Sequence, residues 1–289
     1  MFQPLGIPKK ISIVRIMGRR IEDMVVIITG ASSGIGKALA LALSKKRTRL
    51  VLASRQGDVL EQLNFALGGR HLCIATDVSQ PAQCQRLIDS AVKRFGRIDT
   101  LVCNAGYGIT KTVMETSQQE LTDMFQTNLF GTIECIRAMV PYMQKQDIVD
   151  GVRGQLMIVS SAAARRGVPY LGGYSATKAA QLSIAEALRV ELEPSKIAVT
   201  SVHPVSTKTE FGKVAQKTGG VRMPPDGMAM QQSAEQVAIR MCRAMSNPVK
   251  ELWPMDPSRY VMSLGTLFPG MVDGMMKSFR EKIERWNKR

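Results

Sequence analysis

The chain has 289 residues, of which 45% are hydrophobic, and this composition excludes a disordered polypeptide and suits one α/β domain. Its formal net charge is +15, but the basic residues are spread along the chain, so we expect a solvated basic surface and no nucleic-acid partner. Five cysteines without metal-like spacing and only two histidines argue against a metal site and a histidine-based triad. We expect reduced core thiols in a cytoplasmic protein.

Residues 1–23 are basic and precede the first predicted strand. They lack the long uninterrupted apolar region of a secretory signal. We interpret them as a basic N-terminal arm on the surface, or as a chain whose true start is Met17 and which leads directly into the strand. No function is assigned to them.

From Met24 onward, apolar runs typical of strands alternate with helical stretches. The strands are predicted at Val25–Thr29, Leu50–Ala53, His71–Ala75, Thr100–Cys103, Gln155–Ser160 and Ala198–Val202. The helices are predicted at Ile35–Ser44, Pro81–Phe95, Gln118–Gln144 and Tyr174–Leu192. Ser117 and Glu120 have the spacing of a capping box before the third of them. The alternation predicts repeated βαβ units in a single α/β domain with a doubly wound parallel sheet of the Rossmann type.

The alternation stops after Val205. Residues 206–232 are rich in Gly, Met and Pro, and the next predicted helix, Ser233–Met245, is capped by Ser233 and Gln236. We therefore expect a main domain at residues 24–259, in which residues 206–245 form a variable loop and helix, and a C-terminal extension at residues 260–289.

A glycine-rich turn, TGASSGIGK, follows the first predicted strand at residues 29–37. It does not fit a nucleoside-triphosphate loop, because Ala31 and Ala38 stand where that motif needs Gly and Ser/Thr. The spacing of Gly30, Gly34 and Gly36 instead predicts a turn in which the backbone approaches the pyrophosphate of a dinucleotide at a helix N-terminus. The alternative is a turn that only connects strand and helix.

Four further polar positions accompany the turn. Tyr174 and Lys178 are four residues apart and therefore share one face of a helix. Ser161 ends a strand 13 positions before Tyr174, and Asn128 lies within a predicted helix. Each of them alone is more often a surface or core residue, but the combination at these spacings favours a catalytic set.

In order along the chain, TGASSGIG, Asp77-Val78, Cys103-Asn104-Ala105-Gly106, Asn128, the Ser161/Tyr174/Lys178 set and His203-Pro204 resemble the short-chain dehydrogenase/reductase family. The resemblance extends from about Val25 to Phe211, and within the family it is to NADP-preferring carbonyl and hydroxysteroid-type reductases. One position departs from the pattern, because Val205 stands where the family commonly has glycine.

The resemblance implies hydride transfer between a nicotinamide cofactor and a carbonyl or alcohol. Tyr174 suits the proton donor, Lys178 can lower the pKa of Tyr174 by its charge, and Ser161 can bind the carbonyl oxygen. By resemblance, Lys178 also binds the nicotinamide ribose, and Asn128 connects Lys178 to solvent through an ordered water. The expected cofactor contacts are Gly30, Ser32, Ser33, Gly34, Ile35, Gly36, Ser54, Arg55, Asp77, Val78, Asn104, Ala105, Gly106, Tyr174, Lys178, Pro204, Val205, Thr207 and Thr209.

Cofactor preference depends on the end of the second predicted strand. No acidic residue stands there to bind the adenosine ribose, and Arg55 can pair with a 2′-phosphate. This favours NADP(H), with NAD(H) as the alternative, because Arg55 can also be merely solvated and Asp58 lies three residues farther on.

The substrate is less defined by the sequence. Met223, Met228 and Met230 of the variable segment suit an apolar lining or plain packing. We expect an apolar carbonyl or alcohol. The alternatives are a 3-oxoacyl-carrier-protein reductase, whose acidic partner would suit the basic chain, and a catalytically silent NADP(H)-sensing protein, against which the intact catalytic set argues.

The resemblance also implies a homodimer or homotetramer, paired through the helices that carry Asn128 and Tyr174. The 17 residues Tyr260–Met276 are apolar but too short and too interrupted for a membrane span. Beyond them, Phe279, Ile283 and Trp286 recur at helical spacing among basic residues, which is typical of a helix on an anionic membrane surface. Alternatively, this tail packs on a second subunit or caps the substrate pocket.

Overall fold

The computed structural model describes residues 18–208, 220–224 and 231–288. Within these residues, seven parallel strands form one sheet in the order β3-β2-β1-β4-β5-β6-β9, and β7 pairs with β8 separately. The strands are β1 Val25–Thr29, β2 Arg49–Ser54, β3 Leu72–Ala75, β4 Thr100–Cys103, β5 Gly154–Val159, β6 Ile197–Val202, β7 Ser206–Lys208, β8 Gln231–Ser233 and β9 Glu251–Leu252.

Helices connect the strands and cover both faces of the sheet. They are α1 Gly34–Ser44, α2 Gly57–Ala66, α3 Pro81–Phe95, α4 Gln118–Phe125, α5 Gly131–Lys145, α6 Gly172–Glu191, α7 Ala234–Ser246, α8 Asp256–Leu267 and α9 Pro269–Asn287. A π-helical turn, Gln126–Phe130, joins α4 to α5.

The two-residue period of the strands divides the core between the two faces of the sheet. Val26 and Ile28 pack with α1 and α7, whereas Val25 and Ile27 pack with α3 and α5. Every residue of β1 is buried, as expected for a central strand of a parallel sheet that is covered on both faces. This arrangement is the predicted Rossmann-type doubly wound fold.

The six predicted strands lie within one residue of the observed ones, and both predicted capping boxes, at Ser117 and Ser233, are present. The prediction of one unbroken helix over Gln118–Gln144 was wrong, because the π-helical turn interrupts it. Helices α2 and α8 and strands β7, β8 and β9 were not predicted. The five cysteines are free thiols, but Cys73 is only half-buried, so the prediction that all lie in the core was wrong there.

The sheet order reverses between β1 and β4, which are neighbours although α1, β2, α2, β3 and α3 separate them in the chain. Consecutive crossovers leave these two strands toward opposite faces, so a crevice opens at their carboxyl ends. The glycine turn follows β1 and Asn104 follows β4. The fold therefore brings these two segments to the same edge.

The C-terminal extension consists of α8 and α9, joined at Phe268. Ile283 is fully buried, whereas Leu264, Leu267, Phe268 and Met271 are exposed. Among the described helices, none is both long enough and apolar enough to span a membrane.

Candidate functional site

The glycine turn has a geometry that favours glycine. Gly30 and Gly34 have φ of +66° and +52°, in the left-handed region. A Cβ on Gly36 would lie 2.3 Å from the Gly30 carbonyl oxygen, so α1 can approach the turn this closely only without a side chain. Ser33, the N-cap of α1, makes no side-chain capping bond to the helix. The first amides of α1 are thus left to an anion, which fits a pyrophosphate.

Thr29 links the two loops of the crevice. Its hydroxyl accepts hydrogen bonds from the backbone amides of Asn104 at 3.0 Å and Ala105 at 3.1 Å. The Asn104 side chain donates in return to the carbonyls of Thr29 at 2.9 Å and Gly30 at 3.2 Å. The loop after β4 is therefore held against the glycine turn.

Tyr174 and Ser161 meet at the carboxyl end of β5. Ser161 follows that strand in extended conformation, and Tyr174 lies in the first turn of α6. Burial raises the pKa of Tyr174 to about 12, and the hydrogen bond with the Ser161 hydroxyl opposes this rise. The two hydroxyl groups therefore lie close enough to contact one carbonyl oxygen together.

Lys178 is buried one turn after Tyr174 on α6. Its Nζ donates to the Val159 carbonyl at 2.9 Å and to Gln181 Oε1 at 2.8 Å, and it lies 5.7 Å from the centroid of the Tyr174 ring. Burial lowers the pKa of Lys178 to about 7. Burial is also the largest cause of the raised pKa of Tyr174, and the effect of the Lys178 charge on this phenol stays a prediction.

Asn128 lies in the π-helical turn and is fully buried. Its Oδ1 accepts from the Tyr107 amide at 3.0 Å, and its Nδ2 donates to the Tyr107 carbonyl at 2.8 Å and to Thr177 Oγ1 at 3.0 Å. A Cβ on Gly106 would lie 2.9 Å from Oδ1 and 3.5 Å from the Lys178 Nζ. Gly106 therefore allows the loop after β4 to approach both side chains.

His203 contacts the Ser161 backbone and packs on Trp253. Its Nδ1 lies 3.3 Å from the Ser161 carbonyl, its Nε2 lies 3.0 Å from Ser201 Oγ, and its ring stacks on Trp253 with centroids 4.5 Å apart. Burial lowers the pKa of His203 to about 4, and the hydrogen bond to the Ser161 backbone opposes this shift. His203 is therefore neutral near pH 7, and its contacts give it a structural role next to the site.

The end of β2 carries the residues that concern cofactor preference. The buried Ser54 hydroxyl accepts from the Gln56 amide at 3.2 Å, and Arg55 and Asp58 are exposed. Burial raises the pKa of Tyr107, and the charge of Arg55 acts in the opposite direction. No carboxylate occupies the strand end itself.

Asp77 and Val78 lie at the end of β3, beside the crevice. The Asp77 carboxylate accepts from the Ser79 amide at 2.9 Å and the Ser79 hydroxyl at 2.7 Å. Val78 is buried, and a Cβ on Gly131 would come within 2.8 Å of it. Both side chains are thus held by local contacts.

The segment after β6 crosses the site. The Ala162 amide donates to the Pro204 carbonyl at 2.9 Å, and Thr207 Oγ1 donates to the Val205 carbonyl at 2.8 Å. Val205 is not among the described residues with left-handed backbone, so this position does not require glycine. Met223 is half-buried. The predicted positions outside the described residues are Thr209, Met228 and Met230.

Residues 220–224 bridge the site to the C-terminal extension. Thr110 and Val221 exchange two hydrogen bonds, from the Thr110 hydroxyl and from the Val221 amide, each 2.8 Å long. Asn287 of α9 accepts from the Arg222 amide at 2.8 Å and donates to the Arg222 carbonyl at 2.9 Å. The tail therefore contacts the variable segment of its own chain.

Several residues of the site were not predicted, among them Gln181, Thr132, Tyr107 and Trp253. Of these, Gln181 carried a signal in the sequence, because it follows Lys178 by three positions and therefore shares its helix face. Tyr107 directly follows the motif Cys103-Asn104-Ala105-Gly106, whereas Trp253 carried no signal, because it reaches the site only through the tertiary fold.

The site lies in the crevice where the strand order of the sheet reverses, and it contains a glycine turn, a buried Ser–Tyr pair and a nearby Lys. This combination defines a dinucleotide-dependent oxidoreductase. The family model described as short chain dehydrogenase matches residues 24–219. The chain therefore belongs to the short-chain dehydrogenase/reductase family, whose members are oxidoreductases that act on CH–OH donors with NAD(P).

Relatives and solved structures agree with this assignment. YxnA of Bacillus subtilis, an uncharacterized oxidoreductase, is 29% identical over 264 residues, which are 90% of this chain and 73% of that protein. The 11-beta-hydroxysteroid dehydrogenase A of Arachis hypogaea is 36% identical over 220 residues, which are 73% of this chain and 60% of that protein.

Two solved structures share the fold with a TM-score of 0.70 each. One is a 3-ketoacyl-(acyl-carrier-protein) reductase from Brucella melitensis complexed with NADH, 26% identical over 81% of this chain and 97% of that chain. The other is an alcohol dehydrogenase from the archaeon Thermococcus sibiricus complexed with 5-hydroxy-NADP, 28% identical over 80% of this chain and 96% of that chain. They confirm the predicted fold class.

Proposed function

We propose that this chain interconverts an apolar ketone or aldehyde and the corresponding alcohol with NADP(H). The observation that carries the proposal is the hydrogen-bonded pair of Ser161 and Tyr174, which lies one helical turn from Lys178 at the carboxyl end of the sheet. When bound, the nicotinamide group supplies or accepts the hydride. The residues of the chain then bind the carbonyl oxygen and move one proton.

In the direction of reduction, the carbonyl oxygen becomes an alkoxide that needs hydrogen bonds and a proton. The Ser161 hydroxyl donates a hydrogen bond to this oxygen, and the Tyr174 phenol donates the proton. In the reverse direction, the Tyr174 phenolate accepts the proton of the alcohol. A buried tyrosine with a pKa near 12 is a poor base at neutral pH, so positive charge at Lys178 must favour the phenolate.

Turnover tests this assignment. Purified protein with NADPH is offered a panel of ketones and aldehydes, and the Tyr174→Phe variant should lose about 10²–10⁴-fold in kcat. Tyr142→Phe is the matched control, because the Tyr142 hydroxyl bonds Asp89 on the surface and should leave kcat unchanged. Equal activity of wild type and Tyr174→Phe would contradict the role of the phenol.

We further propose that the cofactor is held by the predicted contacts at the glycine turn and at the ends of β2, β3, β4 and β6. The left-handed Gly30 and Gly34, and Gly36 with no room for a Cβ, support the pyrophosphate contact. The exposed Arg55 and the absence of a carboxylate at the end of β2 support a preference for NADP(H).

Replacement of Arg55 tests the preference directly. Arg55→Ala should weaken NADPH binding by about 5–100-fold and leave NADH binding almost unchanged, because only NADPH carries the 2′-phosphate. The control is Arg49→Ala at the opposite end of the same strand, where the guanidinium lies 3.7 Å from Asp23. An equal loss of affinity for NADPH and NADH would contradict the proposed preference for NADP(H).

The substrate class has two candidates among enzymes. The hydroxysteroid dehydrogenase relative supports a rigid apolar ketone, whereas the structural similarity to a 3-ketoacyl-(acyl-carrier-protein) reductase and the net charge of +15 support an acidic carrier protein. A steroid ketone and a 3-oxoacyl thioester, free and carrier-bound, separate the two. Tight NADPH binding without reduction of any of them would favour the NADP(H)-sensing alternative.

We also propose that the chain works in the cytoplasm as a homodimer or homotetramer through α4, α5 and α6. Five free thiols support a reducing compartment. Light scattering at micromolar concentration should give a mass of two or four chains. A monomeric mass would contradict this assembly.

For the tail, the contacts of α9 with the chain's own loops support a capping role. Arg166 pairs with Asp273, Tyr170 donates to Glu284 at 3.3 Å, and Asn287 bonds Arg222. Contact with an anionic membrane is the second candidate, because exposed apolar side chains lie beside basic ones on α8 and α9.

Vesicles containing anionic lipid distinguish these roles. Replacement of Leu267 and Phe268 by Ser should abolish co-sedimentation if the tail binds the membrane, and Phe65→Ser, at a residue 85% exposed on α2, is the control. If the wild type does not co-sediment, membrane contact is excluded and capping is the remaining role.

A further inference from the structure

Gln181 is a buried amide whose polar groups are all bonded within the site. It lies on α6, one turn after Lys178, with 1% of its surface exposed. Its Oε1 accepts from the Lys178 Nζ at 2.8 Å. Its Nε2 donates to the Asn128 carbonyl at 2.6 Å and to Thr132 Oγ1 at 2.9 Å. Gln181 therefore connects the ammonium directly to the π-helical turn.

The neighbours allow only one orientation of this amide. A flip about the last side-chain bond would turn the NH₂ group toward the Lys178 ammonium and the amide oxygen toward the Asn128 carbonyl. Both contacts would then be repulsive, and no donor would face the carbonyl. The amide oxygen therefore accepts a hydrogen bond from Lys178, and the amide NH₂ group donates to the Asn128 carbonyl and to Thr132.

One backbone carbonyl of the π-helical turn accepts two side-chain hydrogen bonds. The Asn128 carbonyl accepts from the Gln181 amide and also from the Thr132 hydroxyl at 2.8 Å. Single π-helical turns within α-helices are often found at functional sites. The π-helical turn is therefore matched to Gln181, and Lys178 reaches the Asn128 carbonyl through this amide.

Few other groups can stabilise the ammonium. Strand β5 offers the Val159 carbonyl, α6 itself offers Gln181 and the Tyr174 phenol, and the π-helical turn and the loop after β4 present the Asn128 amide and Gly106. Among the described residues, the phenol is the titratable group that faces Lys178, and no carboxylate contributes to its pKa. Gln181 thus supplies one of two hydrogen-bond acceptors to a charge that burial disfavours.

We propose that Gln181 is a positioning residue that keeps Lys178 protonated and holds its ammonium beside the π-helical turn, and through Lys178 sets the pH at which Tyr174 ionises. The effect on Tyr174 rests on the proposed function. The link to Lys178 does not, because it concerns only the charge of one side chain.

The first test measures the charge of Lys178 without turnover. In full-length protein with ¹³Cε-labelled lysine, the Lys178 signal is assigned by its loss in Lys178→Met and titrated by NMR. Gln181→Met, of similar size but without an acceptor, should lower the pKa of Lys178 by about one unit. Gln181→Glu, which keeps an acceptor toward Nζ, should leave this pKa unchanged or raise it. An unchanged pKa in Gln181→Met, or a lowered one in Gln181→Glu, would overturn the proposal.

The second test uses the pH profile of alcohol oxidation with NADP⁺. Oxidation needs the phenolate, so loss of positive charge at Lys178 raises the pH at which activity appears. Gln181→Met should move this limb about one unit upward, and Gln181→Glu should restore it. A role in packing alone would lower kcat at every pH without moving the limb, and that result would contradict the proposal. Lack of turnover by the wild type would contradict the proposed function instead, while the NMR titration still decides the link.

Discussion

The Asn128–Lys178 region and the C-terminal extension hold their polar groups in opposite ways. In the first region, the Asn128 amide, the Lys178 ammonium and the Gln181 amide are buried and bonded to one another, to threonine hydroxyls or to backbone. In the extension, the ion pair of Arg166 with Asp273 is exposed to water, and Leu267 keeps 72% of its surface exposed.

This difference concerns how firmly each region is held in one arrangement. A buried polar network tolerates only one arrangement, because each unpaired group would carry a desolvation cost. Exposed ion pairs and single surface contacts contribute little and are easily exchanged. The groups around Lys178 are thus held firmly, whereas α8 and α9 are attached by weak contacts. Four changes test this contrast.

The largest effect is expected where a methyl group enters the glycine turn. Gly36→Ala would place a Cβ 2.3 Å from the Gly30 carbonyl oxygen, and that backbone cannot move without displacing Asn104. We expect NADPH binding to weaken by roughly 100-fold or more, measured by fluorescence titration. Gly57→Ala, whose Cβ would meet Ala75 at 3.6 Å, is the tolerated control. Comparable NADPH affinities of the two variants would contradict the close approach of Gly36 to the Gly30 carbonyl.

The next effect concerns the buried ammonium. The pKa of Lys178 is lowered from 10.5 to about 7, so between these pH values the unfolded state binds more protons and stability rises with pH. From pH 7 to 9.5, wild type should gain about 3 kcal/mol in unfolding free energy relative to Lys178→Met. Urea unfolding at both pH values measures this gain. Parallel stabilities of the two proteins would show that the ammonium is solvated.

A smaller effect is expected below pH 7 at His203. Its pKa is lowered from 6.5 to about 4, so the unfolded state again binds more protons in this window and stability falls as the pH falls. Between pH 7 and 5, wild type should lose about 2 kcal/mol relative to His203→Gln. Thermal unfolding at the two pH values gives the difference. An acid sensitivity that persists in His203→Gln would assign it to other groups.

The smallest effect is expected in the extension. Asn287→Ala removes two hydrogen bonds to the Arg222 backbone at an exposed site. We expect KM for the carbonyl substrate to rise about 3–5-fold with kcat unchanged, because the variable segment is held less firmly. Lys288→Ala, the exposed neighbouring residue, serves as control. A fall in kcat with constant KM would mean that the tail acts on the chemistry rather than on substrate binding.

Much of the fold could be predicted because its signals are local. Strands such as Val25–Thr29 are continuous apolar runs, and capping boxes at Ser117 and Ser233 mark helix starts by residue type alone. The glycine turn and the spacing of Tyr174 and Lys178 are local too, so the family resemblance could be read from them. The interruption at Gln126–Phe130 was not predicted, and the Gln181 amide that bonds its Asn128 carbonyl lies on another helix.

By itself, therefore, the sequence determined the alternation of strands and helices, the glycine turn and the order of the catalytic residue types, since each is a pattern within one segment. Only the tertiary structure decided that the Lys178 ammonium faces Val159 and Gln181, and that α9 bonds the backbone of Arg222. These contacts join segments that are distant in the chain or depend on side-chain rotation. Their partners are selected by burial and by the need to pair every buried polar group, which no single segment encodes.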